Sequence, residues 1–191
     1  MTKIRLAQDR AADELLSRDP FALLAGMLLD QQVPMEKAFA GPRLIADRLG
    51  LAELDPAVVA RTDPDDFVAI MTGPPAVHRY PQSMGARVQA LAQVIQDEYD
   101  GDASTLWARS SSGADLYKRL TALPGFGAQK AKIFVALLGK QLGVRPSGWR
   151  AAAGDYGLAG FRSVADVVDE ESLIKVRETK RAAKAAARAS G

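Results

Sequence analysis

Asp-Pro pairs stand at three places in the sequence, 19–20, 55–56 and 63–64, and each pair is typical of a helix start. The aspartate accepts a hydrogen bond from a free amide of the first turn, and the proline fits that turn because its position needs no N–H. Apolar residues recur at helical spacing in the segments that follow, and no sustained two-residue alternation predicts a strand. The sequence therefore predicts an all-α fold.

Two apolar segments predict the longest buried helices. PFALLAGMLL is apolar on nearly every side, which is typical of a helix that is buried all round. QSMGARVQALAQVIQDEY carries Met84, Val88, Leu91 and Ile95 at helical spacing, which predicts a long amphipathic helix. The final stretch, KRAAKAAARASG, is rich in alanine and basic residues, and we expect it to be helical when bound and frayed when free.

Composition excludes several kinds of site. Of the 191 residues 48% are hydrophobic, so the chain can bury the core of one domain or of two small lobes. It has no cysteine, which excludes an iron–sulfur cluster and a disulfide, and its single histidine, His78, cannot build a histidine metal site alone. The net charge is only +2, so a nucleic-acid partner needs a local basic patch. The charged N-terminal stretch and the absence of a long apolar run predict a cytoplasmic protein without a membrane partner.

The stretch LTALPGFGAQKAKIF interrupts an apolar helical pattern for one short turn before a basic helical pattern resumes. Gly125 and Gly127 allow a positive φ and leave the backbone uncovered, and Pro124 fixes how the chain enters the turn. Amides of such a turn and of the next helix point outward at the positive end of a helix dipole, which favours a phosphate oxygen. Lys130 and Lys132 add positive charge nearby. The pattern indicates either a phosphate-binding hairpin or a plain tight turn between packed helices.

The hairpin and three further segments resemble the helix-hairpin-helix DNA glycosylase superfamily, the group of endonuclease III and 8-oxoguanine glycosylase. PFALLAGMLLDQQV is similar to the opening helix of that family, YPQSMGARVQALAQVI to the helix before the hairpin, and GVRPSGWR to the segment after the hairpin's second helix. The resemblance runs from Pro20 to Trp149 in the family's order. It implies a two-lobed helical bundle with a helix-hairpin-helix motif and a cleft between the lobes over residues 1–178. A basic tail at 179–191 follows, either a source of phosphate contacts or a solubilising helix end.

The resemblance also implies what such a protein binds. Its partner would be double-stranded DNA with a damaged or modified base, bound by a monomer in the cytoplasm at the nucleoid. Gln32, with Gln31, takes the position of the wedge that fills the gap left by a flipped base. The main-chain carbonyls of Thr121, Leu123 and Phe126 take the position of a site for Na+ or K+ that bridges to phosphate. The other DNA contacts implied by the resemblance are Pro124, Gly125, Phe126, Gly127, Gln129, Lys130, Lys132, Arg145 and Trp149.

The sequence departs from the family pattern at the two positions that carry chemistry. Bifunctional members have a lysine where this chain has Gln129, so no Schiff-base lyase is expected unless Lys130, rotated by about 100° around the helix, reaches the sugar. Active members carry an aspartate where this chain has Arg145, and an arginine opposes the positive charge that develops on the sugar. Asp155, or Asp30 beside the glutamines, is the substitute carboxylate; the alternative for each is a solvated cap or turn residue.

Three functions stay open from the sequence. The first is a monofunctional DNA N-glycosylase that inserts Gln32 and flips a base into the cleft. Its catalytic candidates are Asp155 for base excision and, should a lyase step occur, Lys130 as the nucleophile. The second is a catalytically inactive protein that binds DNA lesions on the same scaffold, with Arg145 as a phosphate or stacking contact. The third is a helical protein-interaction module without a DNA partner. His78 is interpreted as a loop or packing residue.

Overall fold

The computed structural model describes residues 3–191, so the predicted domain start at residue 1 lies outside the described range. Every regular element in this range is helical, and the predicted all-α fold is confirmed. Two 3-10 helices, Gly154–Gly157 and Val164–Asp166, lie between the last two α-helices. The α-helices in chain order are α1 Arg10–Arg18, α2 Pro20–Leu29, α3 Met35–Arg48, α4 Pro56–Arg61, α5 Pro64–Thr72, α6 Pro81–Tyr99, α7 Ser104–Ala108, α8 Gly113–Thr121, α9 Ala128–Gln141, α10 Trp149–Ala153 and α11 Glu170–Ala189.

All three Asp-Pro pairs start a helix as predicted. The Asp19 carboxylate accepts the Ala22 N–H at 2.9 Å and, with its other oxygen, the Leu54 N–H at 2.7 Å. It therefore caps α2 and fixes the loop before α4 as well. Asp55 and Asp63 cap α4 and α5 through local backbone amides alone.

The helices pack as two groups that share one continuous apolar core. In the first group α2 packs against α3 and α6, and α4 and α5 pack on α6. In the second group α9 packs against α8, α10 and both 3-10 helices. All residues of α2 except Pro20 are buried, as its apolar sequence predicted. The turn between α8 and α9 packs against the C-terminal end of α2. Gly125 lies so close to Leu28 that a Cβ on Gly125 would be 3.2 Å from the leucine side chain.

The basic tail is the second half of α11. Leu173 and Val176 bury the first half against the second 3-10 helix, whereas all residues from 177 onward are exposed. The helix continues without a break through residue 179, so the first residues of the predicted tail are part of α11. Arg177 donates to both carboxylate oxygens of Glu36 on α3, at 2.5 and 2.7 Å, and this ion pair ties α11 to the first group. Within residues 3–191 none of the helices has the length and apolarity needed to cross a bilayer.

Candidate functional site

A cleft of about 900 Å³ opens where the C-terminal end of α2, the N-terminal end of α9 and the exposed part of α11 meet. Three stretches that are far apart in the chain contribute to its walls, together with the 3-10 helix after α10. The residues singled out from the sequence that line it are Asp30, Gln31, Gln32, Gln129, Lys130, Lys132 and Asp155. The structure thus brings together the predicted wedge, the start of the second hairpin helix and both substitute carboxylates.

The cleft carries a local excess of two positive charges. Its ionisable side chains are the cations Lys130, Lys132, Arg162 and Lys180 and the carboxylates Asp30 and Asp155. A cleft lined mainly by one sign of charge concentrates the opposite charge, here phosphate. Sequence reasoning missed Arg162, because it reaches the cleft through a loop without helical or turn signals.

The two hairpin glycines have different roles. Gly125 has a φ of 77°, so it requires the left-handed region that glycine adopts without strain. Gly127 has a φ of −82° and a ψ of 179°, an extended conformation open to any residue, so the expected use of positive φ applies to Gly125 alone. A Cβ on Gly127 would meet no atom within 4 Å. The missing side chain at Gly127 serves no contact within the fold and leaves the backbone open to a ligand.

The first amides of α9 have no hydrogen-bond partner within the helix. Gly127 is the N-cap and provides no side-chain cap, and the Ala131 N–H is the first to pair within the helix, with the Gly127 carbonyl at 3.0 Å. The N–H groups of residues 128–130 therefore have no intrahelical partner. Phe126 anchors the turn, because its ring is buried edge-on against Phe134 with centroids 6.0 Å apart. The Phe126 side chain therefore belongs to the core, and only its backbone faces outward.

The hairpin carbonyls suit the predicted monovalent cation chemically. The Leu123 carbonyl accepts the Phe126 N–H at 3.1 Å. Within the described residues the carbonyls of Thr121 and Phe126 accept no such turn bond. Each of the three oxygens keeps a lone pair, and hard cations prefer oxygen ligands.

Lys130 joins α9 to the end of α2. Its ammonium donates to the carbonyls of Met27 at 2.7 Å, Leu28 at 3.1 Å and Asp30 at 3.4 Å. These bonds cap the C-terminal end of α2, where a positive charge also opposes the negative end of the helix dipole. Burial lowers the pKa of Lys130 to about 8, against a smaller opposing effect of the Asp30 carboxylate. All three ammonium donors are occupied, so Lys130 caps α2 in this structure.

The two glutamines of the predicted wedge differ in how they are held. The Gln31 side chain donates to the Leu28 carbonyl at 3.0 Å and accepts from Arg87 at 3.2 Å, so it is fixed against the fold. Gln32 is exposed, has a φ of 56°, and accepts a hydrogen bond from the Tyr80 hydroxyl at 3.1 Å. Of the two, Gln32 is the side chain presented to solvent beside the cleft.

His78 positions this loop from behind. Its ring is fully buried, with Nε2 2.9 Å from the Gln31 carbonyl and Nδ1 accepting the Tyr80 N–H at 3.0 Å. These partners require a proton on Nε2 and none on Nδ1, and burial lowers the pKa of the ring accordingly. The interpretation of His78 as a loop residue agrees with this placement. Its link to the glutamines spans 47 positions of the chain, and no sequence signal marks it.

The two substitute carboxylates have different surroundings. Asp155 lies exposed on the first 3-10 helix, next to Tyr156, whose hydroxyl accepts a hydrogen bond from Gln129 at 2.9 Å. Asp30 is the C-cap of α2 and is partly buried. Burial raises the pKa of Asp30, although Lys180 and Lys130 act in the opposite direction. The structure thus separates a solvated carboxylate from a desolvated one within the same cleft.

Arg145 and Trp149 lie outside the cleft, at the other end of α9. The Arg145 Nε donates to the Gly139 carbonyl at 2.8 Å. Trp149 is buried against Gly139 and is covered by the Arg150 guanidinium at 4.6 Å from its ring centre. Both residues contact Gly139, which lies nine residues after Lys130 and thus about 14 Å further along α9. The implied roles of Arg145 beside a flipped base and of Trp149 as a stacking surface therefore have no counterpart at this cleft.

Comparison with protein-family models, curated proteins and solved structures gave no match for this chain. Within residues 3–191 no group of three or more His, Asp or Glu side chains is arranged to hold a metal ion. A function for this chain is therefore inferred from the geometry of the cleft and of the hairpin.

Proposed function

We propose that this protein binds duplex DNA at a damaged or modified base, flips that base into the cleft and excises it as a monofunctional DNA N-glycosylase. One observation carries the proposal: the exposed Gln32, the open amides at the start of α9 and the cationic cleft lie together. Each of the three fits one task in handling a flipped nucleotide, namely filling the gap, holding a phosphate and receiving the base.

The hairpin is the phosphate-binding element in this proposal. A phosphodiester oxygen accepts the amides of residues 128–130, and Gly127 lets the DNA backbone approach because it has no side chain. A Na+ or K+ ion held by the carbonyls of Thr121, Leu123 and Phe126 would add positive charge beside the same phosphate. The resemblance to the helix-hairpin-helix glycosylases supports this use of the hairpin.

The cleft is the base-binding element. Its volume of about 900 Å³ falls in the range of small-molecule sites, and it accommodates a nucleotide. Hydrolysis of the glycosidic bond needs a carboxylate to stabilise the positive sugar or to activate water, and the cleft provides Asp30 and Asp155. Because the Lys130 ammonium is occupied as a helix cap, the proposal includes no Schiff-base lyase step.

The position of Arg145 outside the cleft helps to distinguish an enzyme from an inactive lesion-binding protein. An arginine beside the flipped nucleotide would oppose catalysis, but this arginine contacts the C-terminal end of α9 instead. Arg145 itself therefore lies outside the cleft, and the cations that do line the cleft are accompanied by two carboxylates, Asp30 and Asp155. This observation favours the enzyme.

The proposal is tested with a panel of duplexes that each carry one damaged or modified base, beside an undamaged duplex of the same sequence. Fluorescence anisotropy measures binding, and alkaline cleavage of the strand measures abasic sites. We expect tighter binding to at least one modified duplex and release of its base. Lesion-selective binding without base release would favour the inactive lesion-binding protein. Absence of binding to every duplex would refute both.

A further inference from the structure

We infer that Asp30, at the end of α2, is the general base of the hydrolysis in this cleft. The inference rests on the proposed function, and it assigns the chemistry to a residue beside the wedge instead of to residue 145 or 155. The proposed base and the proposed wedge are then neighbours, because only one residue separates Asp30 from Gln32 in the sequence.

The first support is the lack of a partner for the Asp30 carboxylate. Asp30 lines the cleft, and within the described residues its side chain accepts no hydrogen bond and forms no ion pair. Polar groups withdrawn from water normally have hydrogen-bond partners. A partly buried carboxylate that faces a cleft without one is available to a water molecule or a ligand.

Two buried carboxylates of this chain differ from Asp30, because their oxygens do accept hydrogen bonds. Asp13 accepts the Ala7 N–H at 2.8 Å, and Asp19 accepts two backbone amides as the cap of α2. Both hold the fold together, and their oxygens are engaged. Asp30 is less buried than either and accepts no such bond, which separates it from these structural carboxylates.

The second support is the placement of the neighbouring charges. Lys130 is close enough to act on Asp30, but its three donors are occupied by carbonyls, including the main-chain carbonyl of Asp30 itself. The charges of Lys180 on α11 and of Glu36 on α3 also act on Asp30, in opposite directions. Lys130 and Lys180 therefore stabilise the ionised carboxylate without neutralising it through a direct ion pair. Burial outweighs them and raises the pKa of Asp30, so this carboxylate is a stronger base than an exposed one.

The reaction balances with water as the only co-reactant. The oxygen of a water molecule forms a bond to C1′ of the flipped nucleotide while one of its protons passes to the Asp30 carboxylate. The bond between C1′ and the base nitrogen breaks, and its electron pair leaves with the base. The protonated Asp30 then returns its proton to the departing base. The products are the free base and an abasic site, and the carboxylate is restored.

The test compares full-length variants on a duplex that the wild type processes. Asp30→Asn keeps the shape and removes the base, so we expect the single-turnover rate of base release to fall by about 100-fold with an unchanged dissociation constant. Asp100→Asn is the matched control: Asp100 is the C-cap of α6 and lies outside the cleft, and its rate should equal that of the wild type. The wild-type rate should rise with pH through a pKa above the ordinary carboxyl range, and the rate of Asp30→Asn should not.

Three outcomes would overturn the inference. A wild-type rate in Asp30→Asn, or a loss of rate confined to Asp155→Asn, would remove Asp30 as the base and leave the proposed function standing. Lesion binding by the wild type without release of any base would overturn both this inference and the proposed glycosylase, and would leave a binding protein. Failure of the proposed function is therefore recognised in the wild type, which would release no base, whereas failure of the inference alone is recognised in the variants of an active wild type. Thermal unfolding of each variant excludes misfolding as the cause of a lost rate.

Discussion

The two ends of α9 are built in opposite ways. At the C-terminal end Arg145 donates to the Gly139 carbonyl, and the Gln141 side chain donates to the carbonyls of Ala165, in the second 3-10 helix, and of Val167, directly after it. At the N-terminal end Gly127 offers no side-chain cap, and the first amides of the helix stay open. Unpaired backbone groups are costly when buried, so a fold leaves them open where water or a ligand reaches them. The comparison separates an end built for stability from an end built for binding.

The largest effect that this contrast predicts is on stability, at the C-terminal end of α9, here called the closed end; the N-terminal end is called the open end. A Cβ on Gly139 would lie 2.4 Å from the Trp149 ring, so Gly139→Ala must displace the tryptophan or the helix. We expect the free energy of unfolding to fall by about 2 kcal/mol or more. Gly127→Ala at the open end adds a methyl group that meets nothing, so its free energy of unfolding should stay close to wild type. Urea denaturation measures both, and equal stabilities would remove the contrast between the two ends.

The next effect is on DNA binding, at the open end. Gly127→Ala places a methyl group where the proposed phosphate approaches, without strain on the folded chain. We expect its affinity for a lesion duplex to fall by about tenfold, because the amides of α9 then lie too far from the phosphate oxygen. Arg145→Ala is the control at the closed end and should bind DNA like the wild type. Normal binding by Gly127→Ala would show that the hairpin is only a turn.

Local signals in the sequence predicted the helices well. The caps made by Asp19, Asp55 and Asp63 use amides within one turn, so these caps follow from neighbouring residues, whereas the second bond of Asp19, to Leu54, does not. The hairpin was equally local, although the sequence does not distinguish the left-handed Gly125 from the extended Gly127. A turn has several backbone solutions for the same pair of glycines, and packing against Leu28 selects one of them.

The site was predicted less completely, because its contacts join distant parts of the chain. The bonds from Lys130 to the end of α2 span about a hundred positions, and nothing near Lys130 in the sequence indicates them. Arg145 was placed by its order in a resemblance, and order along a chain does not fix which end of a helix a segment packs on. The role of Asp30 likewise depends on burial and on Lys180 of α11, both products of the tertiary fold.

A smaller effect concerns α11, which forms one wall of the cleft beside the open end of α9. Lys180 lines the cleft, whereas Arg188 lies near the exposed end of the same helix. If Lys180 neutralises a phosphate, Lys180→Ala should lower the slope of log affinity against log salt by about 0.9. Deleting the residues after Glu178 removes Lys180, Arg181, Lys184 and Arg188, and we expect a larger loss of slope. An unchanged slope in the truncated chain would assign this half of α11 to solvent.

The remaining effect is a pH dependence of stability that originates at Lys130. Its pKa is lowered from 10.5 to about 8 in the folded protein, mainly by burial. Between these two pH values the unfolded chain binds more protons than the folded one, so the contribution of Lys130 to stability rises as the pH increases through this window. Lys130→Met removes the titrating group, and its urea midpoint should lack the part of the rise that depends on Lys130. Lys132→Met, two residues along the same helix, controls for the loss of a lysine and should keep that rise. The urea midpoints of wild type and Lys130→Met could instead change in parallel between pH 8 and 10.5. The ammonium of Lys130 would then be solvated, and it would not form the cap that joins the open end of α9 to α2.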